Sequence, residues 1–121
     1  MPPDKHPLSS NVLSFHLGEE RARVNDRVLL ERSGRNARTL VKNGPLRVTL
    51  VMLQGGGEIA PHRAAGPITV QVLDGDLQFN AAGQDHRLAA GDLLVLDAGV
   101  EHHVASEKGG AFLLTVVRQP A

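Results

Sequence analysis

The stretch Gly91-Asp92-Leu93-Leu94-Val95-Leu96-Asp97-Ala98-Gly99-Val100-Glu101-His102 decides how this chain is interpreted. It places a short aliphatic run between two glycines and ends on a histidine. An earlier stretch, Gly56-Gly57-Glu58-Ile59-Ala60-Pro61-His62, ends in the same way, and Leu73-Asp74-Gly75-Asp76 follows it as a predicted turn. The two histidines that close these stretches are the first candidates for a functional site.

The rest of the chain predicts β structure from residue 38 onward. Short apolar runs alternate with glycine-containing turn signals, one of them Asn43-Gly44-Pro45, which is typical of an antiparallel sandwich or barrel. No helical block is long enough for the crossovers of a parallel sheet. The predicted strands cover 39–41, 46–53, 68–73, 77–80, 93–96, 102–105 and 111–117.

The chain divides into three predicted parts. Residues 1–37 form an N-terminal arm and lead-in with a short helix over 19–27, although 28–30 could equally begin a strand. Residues 38–117 form one β-barrel, and residues 118–121 form a C-terminal tail. The arginines within 32–38 are interpreted as a solvated loop.

The order and spacing of the two histidine stretches resemble the two motifs of the cupin superfamily. That resemblance covers roughly residues 38–117 and implies an all-β jelly-roll barrel, also called a double-stranded β-helix. In the usual pattern the first motif supplies two histidines and a carboxylate, the second supplies one histidine, and all four bind a metal. Here the other two ligand positions are Ala64 and Ile68, so the resemblance implies a small cupin of uncharacterised function with a degenerate metal site.

Strand alternation predicts which side chains accompany the histidines. If His62 points into the barrel, then the residues on the same face line a pocket with it: Ala64, Ile68, Val70 and Val72. Two imidazoles fall short of the three protein ligands of a catalytic zinc site. The sequence therefore specifies no cofactor. We expect a divalent metal (Mn, Fe, Ni or Zn) to bind weakly or not at all at His62 and His102.

Three functions remain open at this point. The first is binding of a small molecule in the barrel pocket at His62 and His102. The second is a metal-dependent oxygenase or isomerase with an incomplete ligand set, and the third is a structural or subunit-interaction domain. A sugar-epimerising cupin that uses a tyrosine acid is disfavoured, because the chain contains no tyrosine.

Composition narrows the partners. The formal net charge is zero and no basic stretch alternates with aromatic residues, which disfavours nucleic-acid binding. No apolar run approaches the roughly 20 residues that span a bilayer, and with no cysteine a cytoplasmic protein is expected. The surplus of aliphatic strand residues predicts a homodimer, with Leu50, Met52 and Gln71 as candidates for the shared face.

Overall fold

The computed structural model describes residues 11–119. The first part of the predicted arm, residues 1–10, and the end of the predicted tail, residues 120–121, lie outside the described residues. Within 11–119, two helices precede eight strands: α1 Leu17–Val24, α2 Arg27–Ser33, β1 Arg35–Asn43, β2 Leu46–Gln54, β3 Glu58–His62, β4 Ile68–Ala81, β5 Gln84–Ala89, β6 Leu93–Leu96, β7 His102–Ala105 and β8 Gly109–Val117.

All strand pairings are antiparallel, and the main path through the sheet runs β1-β2-β8-β4-β7-β3. The long strand β4 connects two layers. Its first half pairs with β8 and β6, and its second half pairs with β5 and β7. The predicted all-β class is therefore confirmed, and the sheet curls around one interior.

The turn predicted at Leu73-Asp74-Gly75-Asp76 is wrong. The predicted strands 68–73 and 77–80 are one continuous strand, β4, which bends where its register against β8 shifts between Val72 and Asp74. Gly75 has φ +72°, and a Cβ on it would lie 2.1 Å from the carbonyl oxygen of Gly109. Glycine therefore lets the strand cross from one layer to the other instead of reversing.

Side-chain alternation divides the apolar residues between two clusters. The interior cluster includes Val51, Val70, Phe79 and Phe112. The larger layer consists of β1, β2, β8, β6 and the first half of β4. The second cluster lies on its outer face, where α1 covers Leu50 and other residues of β1 and β2. Burial of both faces over this part of the sheet explains why the strands carry more aliphatic residues than a small interior can hold.

The helical segment differs from its prediction. The sequence predicted one helix over 19–27, but α1 ends at Val24 and a second helix starts at Arg27. Asp26 causes the break, because its side chain caps α2 by accepting hydrogen bonds from the amides of Val28 and Leu29. Residues 28–30, which could have begun a strand, are helical. No helix within residues 11–119 has the length and apolarity to cross a membrane.

The arginines within 32–38 do not form a loop, contrary to the prediction. Gly34, in the left-handed conformation, ends α2, and β1 begins at Arg35. Arg38 donates from Nε to the carboxylate of Glu20 at 2.8 Å, and Glu20 is only 7% exposed. This contact fixes α1 against the sheet.

Candidate functional site

His62 and His102 lie side by side at one end of the barrel. They are register partners in the β3–β7 ladder, each at the end of its strand, with ring centroids 4.2 Å apart and an interplanar angle of 61°. The proximity predicted from the motif spacing is confirmed. Their role in binding a ligand or a metal stays a prediction.

The two rings differ in exposure but share one hydrogen-bonding pattern. His102 is 4% exposed and stacks on Phe79, with centroids 5.6 Å apart, whereas His62 is exposed at the mouth. The Nδ1 atom of His62 lies 2.9 Å from the carbonyl oxygen of Ala60, and that of His102 lies 2.9 Å from the carbonyl of Val100. A carbonyl can only accept, so each Nδ1 carries a proton, and a ring in its neutral form then keeps its lone pair on Nε2.

Burial also favours the neutral form of the inner histidine. Desolvation lowers the pKa of His102 below its usual 6.5, and the neighbouring His62 and His103 lower it further. The hydrogen bond to the carbonyl of Val100 opposes them, but the net direction is downward. Near pH 7 His102 therefore offers Nε2 as a hydrogen-bond acceptor or as a metal ligand.

A cavity of about 260 Å³ opens beside the two rings. Ala64 and Ile68, at the altered ligand positions, both line it, together with Leu114 and Val116 from β8. A smaller cavity of about 60 Å³ lies deeper, where Val70 contributes to the wall. Val72, the fourth predicted pocket residue, is buried in the interior cluster and lines neither of these two cavities.

Sequence reasoning missed two basic residues of this cavity, Arg47 and Arg118. Alternation along β2 could have revealed the first, because Arg47 shares a face with Val51 and Leu53, which are in the interior cluster. Arg118 follows β8 and continues the inward face of Leu114 and Val116. It lies beyond the last predicted strand, in the predicted C-terminal tail.

A second opening lies on the other side of His62. It is a wide groove of about 560 Å³ between the edge strands β1 and β3, and its walls include Arg35 and Ile59. His102 does not line it. Of the three openings described, only the two cavities inside the barrel mouth are lined by both histidines.

The nearby carboxylates do not complete a metal site. Glu58 stands at the opposite end of β3 from His62, and the carboxylate of Asp97 accepts from the amide of Ala98. Glu101 forms an ion pair with Arg63 at 3.7 Å. Across the described part of the chain, no three His, Cys, Asp or Glu residues group closely enough to hold a metal ion. The donor set is two imidazoles, fewer than the three protein ligands of a catalytic zinc centre or of the iron facial triad.

The fold and the paired histidines agree with comparisons to known proteins. The family model described as "Cupin domain" matches residues 49–118. The chain therefore belongs to the cupin family, as its two motifs indicated. The comparison with curated proteins found no match.

Solved structures support the same fold. A conserved protein of unknown function from Streptococcus pyogenes is 29% identical, with a TM-score of 0.69 over 92% of this chain and 100% of that one. An RmlC-like cupin from Shewanella frigidimarina is 23% identical, with a TM-score of 0.68 over 72% of this chain and 78% of that one. Salicylate 1,2-dioxygenase from Pseudoaminobacter salicylatoxidans, in a structure with gentisate, is 19% identical, with a TM-score of 0.76 over 85% of this chain and 32% of that one.

Proposed function

We propose that this cupin binds a small molecule in the cavity beside His62 and His102. One observation carries the proposal: both imidazoles line a cavity of about 260 Å³ whose other walls are largely aliphatic. Each Nδ1 is held by a backbone carbonyl, so the rings are oriented before any ligand arrives. Ligand sites of proteins typically combine an apolar cleft with a few fixed polar groups of this kind.

The two alternatives have less support. A metal-dependent oxygenase or isomerase would need a third ligand from the substrate or from a rearranged residue, because Ala64 and Ile68 supply no nitrogen or oxygen. A purely structural domain gives no reason for a cavity that ends on two oriented imidazoles. The dioxygenase among the solved structures is under 25% identical to this chain, so its likeness concerns the fold.

Histidine NMR tests this proposal directly. In protein labelled at its histidine rings, a panel of small fragments should shift the signals of His62 and His102 while leaving the exposed His86 on β5 unchanged. The variant Ala64→Phe should fill the cavity and abolish those shifts. If no fragment moved either ring, or if binding survived the Ala64→Phe change, the proposal would be wrong.

We also propose that the protein is a homodimer formed through the outer face of the larger layer. Leu93, Val95 and Val117 are 61%, 64% and 46% exposed on that face. Of the residues predicted for a shared face, Leu50 is unsuitable because it is fully buried in the cluster beneath α1. Gln71 remains exposed and pairs with Leu93 in the β4–β6 ladder.

Sedimentation tests the dimer. The dimer population depends on protein concentration. At roughly tens of micromolar protein we expect the parent to sediment as a dimer and the Val95→Glu variant to sediment as a monomer. Val28→Glu is the matched control, because Val28 is similarly exposed at 61% but lies on α2. A monomeric parent protein would contradict the proposal.

A further inference from the structure

The rim of the cavity carries two arginines, and both reach it through strand alternation. Arg47 stands directly opposite Val116 in the β2–β8 ladder, on the inward face. The backbone amide of Arg118 donates to the carbonyl of Pro45 at 2.7 Å, which fixes the chain after β8 beside the hairpin that precedes Arg47. Both arginines therefore line the same opening as the histidines.

No carboxylate neutralises this pair within residues 11–119. Neither arginine forms an ion pair there, and the side chains that line the cavity include no aspartate or glutamate. Arg47 donates from one nitrogen, Nη1, to the carbonyl oxygens of Gly44 and Leu46, at 2.5 and 2.9 Å, which leaves its other N–H groups for a ligand. A guanidinium presents its donors in a planar fork that matches a carboxylate bidentately.

Below the rim the walls become apolar. Ile68, Leu114 and Val116 line the cavity, and the deeper space of about 60 Å³ is bounded by Val70, Phe79 and Phe112, among others. A compact, strongly hydrated anion such as phosphate would leave this surface unused. At about 260 Å³ the cavity is also smaller than the roughly 300–1,000 Å³ of sites for drug-sized ligands.

From this polarity we infer that the ligand is a small organic acid with one carboxylate and an apolar body. The carboxylate lies between Arg47 and Arg118 at the rim, and the apolar part lies against Ile68, Leu114 and Val116. His62 and His102 lie between these two ends. The inference rests on the proposed function, because it names the ligand class of the same cavity.

Calorimetric titration with benzoate and its neutral counterpart benzamide tests the inference. We expect benzoate to bind about tenfold or more tightly than benzamide, since a hydrogen bond to a charged group contributes at least that much. Arg118→Gln should weaken benzoate binding about tenfold and benzamide binding by much less, because benzamide carries no charge. The benzoate affinity of Arg118→Lys should fall between those of the parent protein and of Arg118→Gln, because lysine keeps the charge but lacks the planar pair of donors.

Four controls separate the outcomes. Arg87→Gln, at an exposed position on β5 away from the cavity, should leave both affinities unchanged, and urea unfolding should show that each variant is folded. If benzamide bound as tightly as benzoate and Ala64→Phe abolished both, the carboxylate assignment would be wrong while the proposed function stood. Inorganic phosphate binding as tightly as benzoate would also overturn the assignment. Should neither these probes nor the fragment panel bind, both proposals would fail.

Discussion

The altered ligand positions allow a direct reconstruction of a metal site. Ala64 and Ile68 line the same cavity as His62 and His102. The double change Ala64→His with Ile68→Glu would therefore bring three imidazoles and one carboxylate to one opening, the set that the family pattern implies. We expect the double variant to bind manganese, iron or nickel more tightly than the parent protein.

The energetic cost of the change follows from burial. Ile68 is 2% exposed, so losing its apolar contacts costs about 1.5–3 kcal/mol of unfolding free energy. A buried carboxylate without a partner adds several kcal/mol or stays protonated. A metal at about 100 times its dissociation constant returns about 2.7 kcal/mol, because it binds only the folded state. The metal-free variant should therefore unfold at a lower temperature than the parent protein. The metal-loaded variant should unfold at a higher temperature than its own metal-free form.

Thermal unfolding with and without metal, together with metal content after dialysis, measures both effects. The matched control keeps Ala64→His but moves the carboxylate one residue along, as Thr69→Glu. The side chain of Thr69 points to the outer face, because it alternates with the buried Ile68 and Val70. If the folded double variant retained no more metal than this control, Ile68 would not occupy a ligand position and the site assignment would be wrong.

Three further predictions concern stability. Burial lowers the pKa of His102 in the folded state, so as the pH falls through about 6.5 the unfolded chain takes up a proton before the folded protein does. The urea concentration at the unfolding midpoint should therefore drop between pH 7.5 and 5.5, and the drop should be smaller in His102→Gln. An unchanged parent midpoint would contradict this. Ala82 has φ +52° in the hairpin turn after β4, so Ala82→Gly should raise the free energy of unfolding by about 1 kcal/mol in urea titrations, whereas a loss would show that the turn tolerates alanine without strain. Glu20→Gln should lower the free energy of unfolding by about 1–3 kcal/mol, because the buried carboxylate accepts a hydrogen bond from Arg38. Glu31→Gln, at an exposed position on α2, should change it by less than about 0.5 kcal/mol, and equal effects of the two changes would argue against the contact that fixes α1 to the sheet.

Local sequence patterns predicted a turn correctly where a single glycine determines the backbone conformation. Asn43-Gly44-Pro45 predicted a turn, and Gly44 with φ +56° connects β1 to β2 there. The same reasoning failed at Asp74-Gly75-Asp76. Gly75 also has positive φ, but neighbouring strands on both sides keep β4 extended through it. A glycine permits either outcome, and pairing with distant strands selects between them.

The sequence by itself determined the all-β class, the family and the meeting of His62 with His102, because these depend on period-two patterns and on motif spacing. Only the tertiary structure decided the polarity of the cavity. Arg47 and Arg118 are far apart in sequence and resemble ordinary surface arginines, and they share one rim because β2 and β8 pair in a particular register. Register depends on contacts between distant segments, and a shift of one residue between β2 and β8 would have turned one of the two side chains to the opposite face.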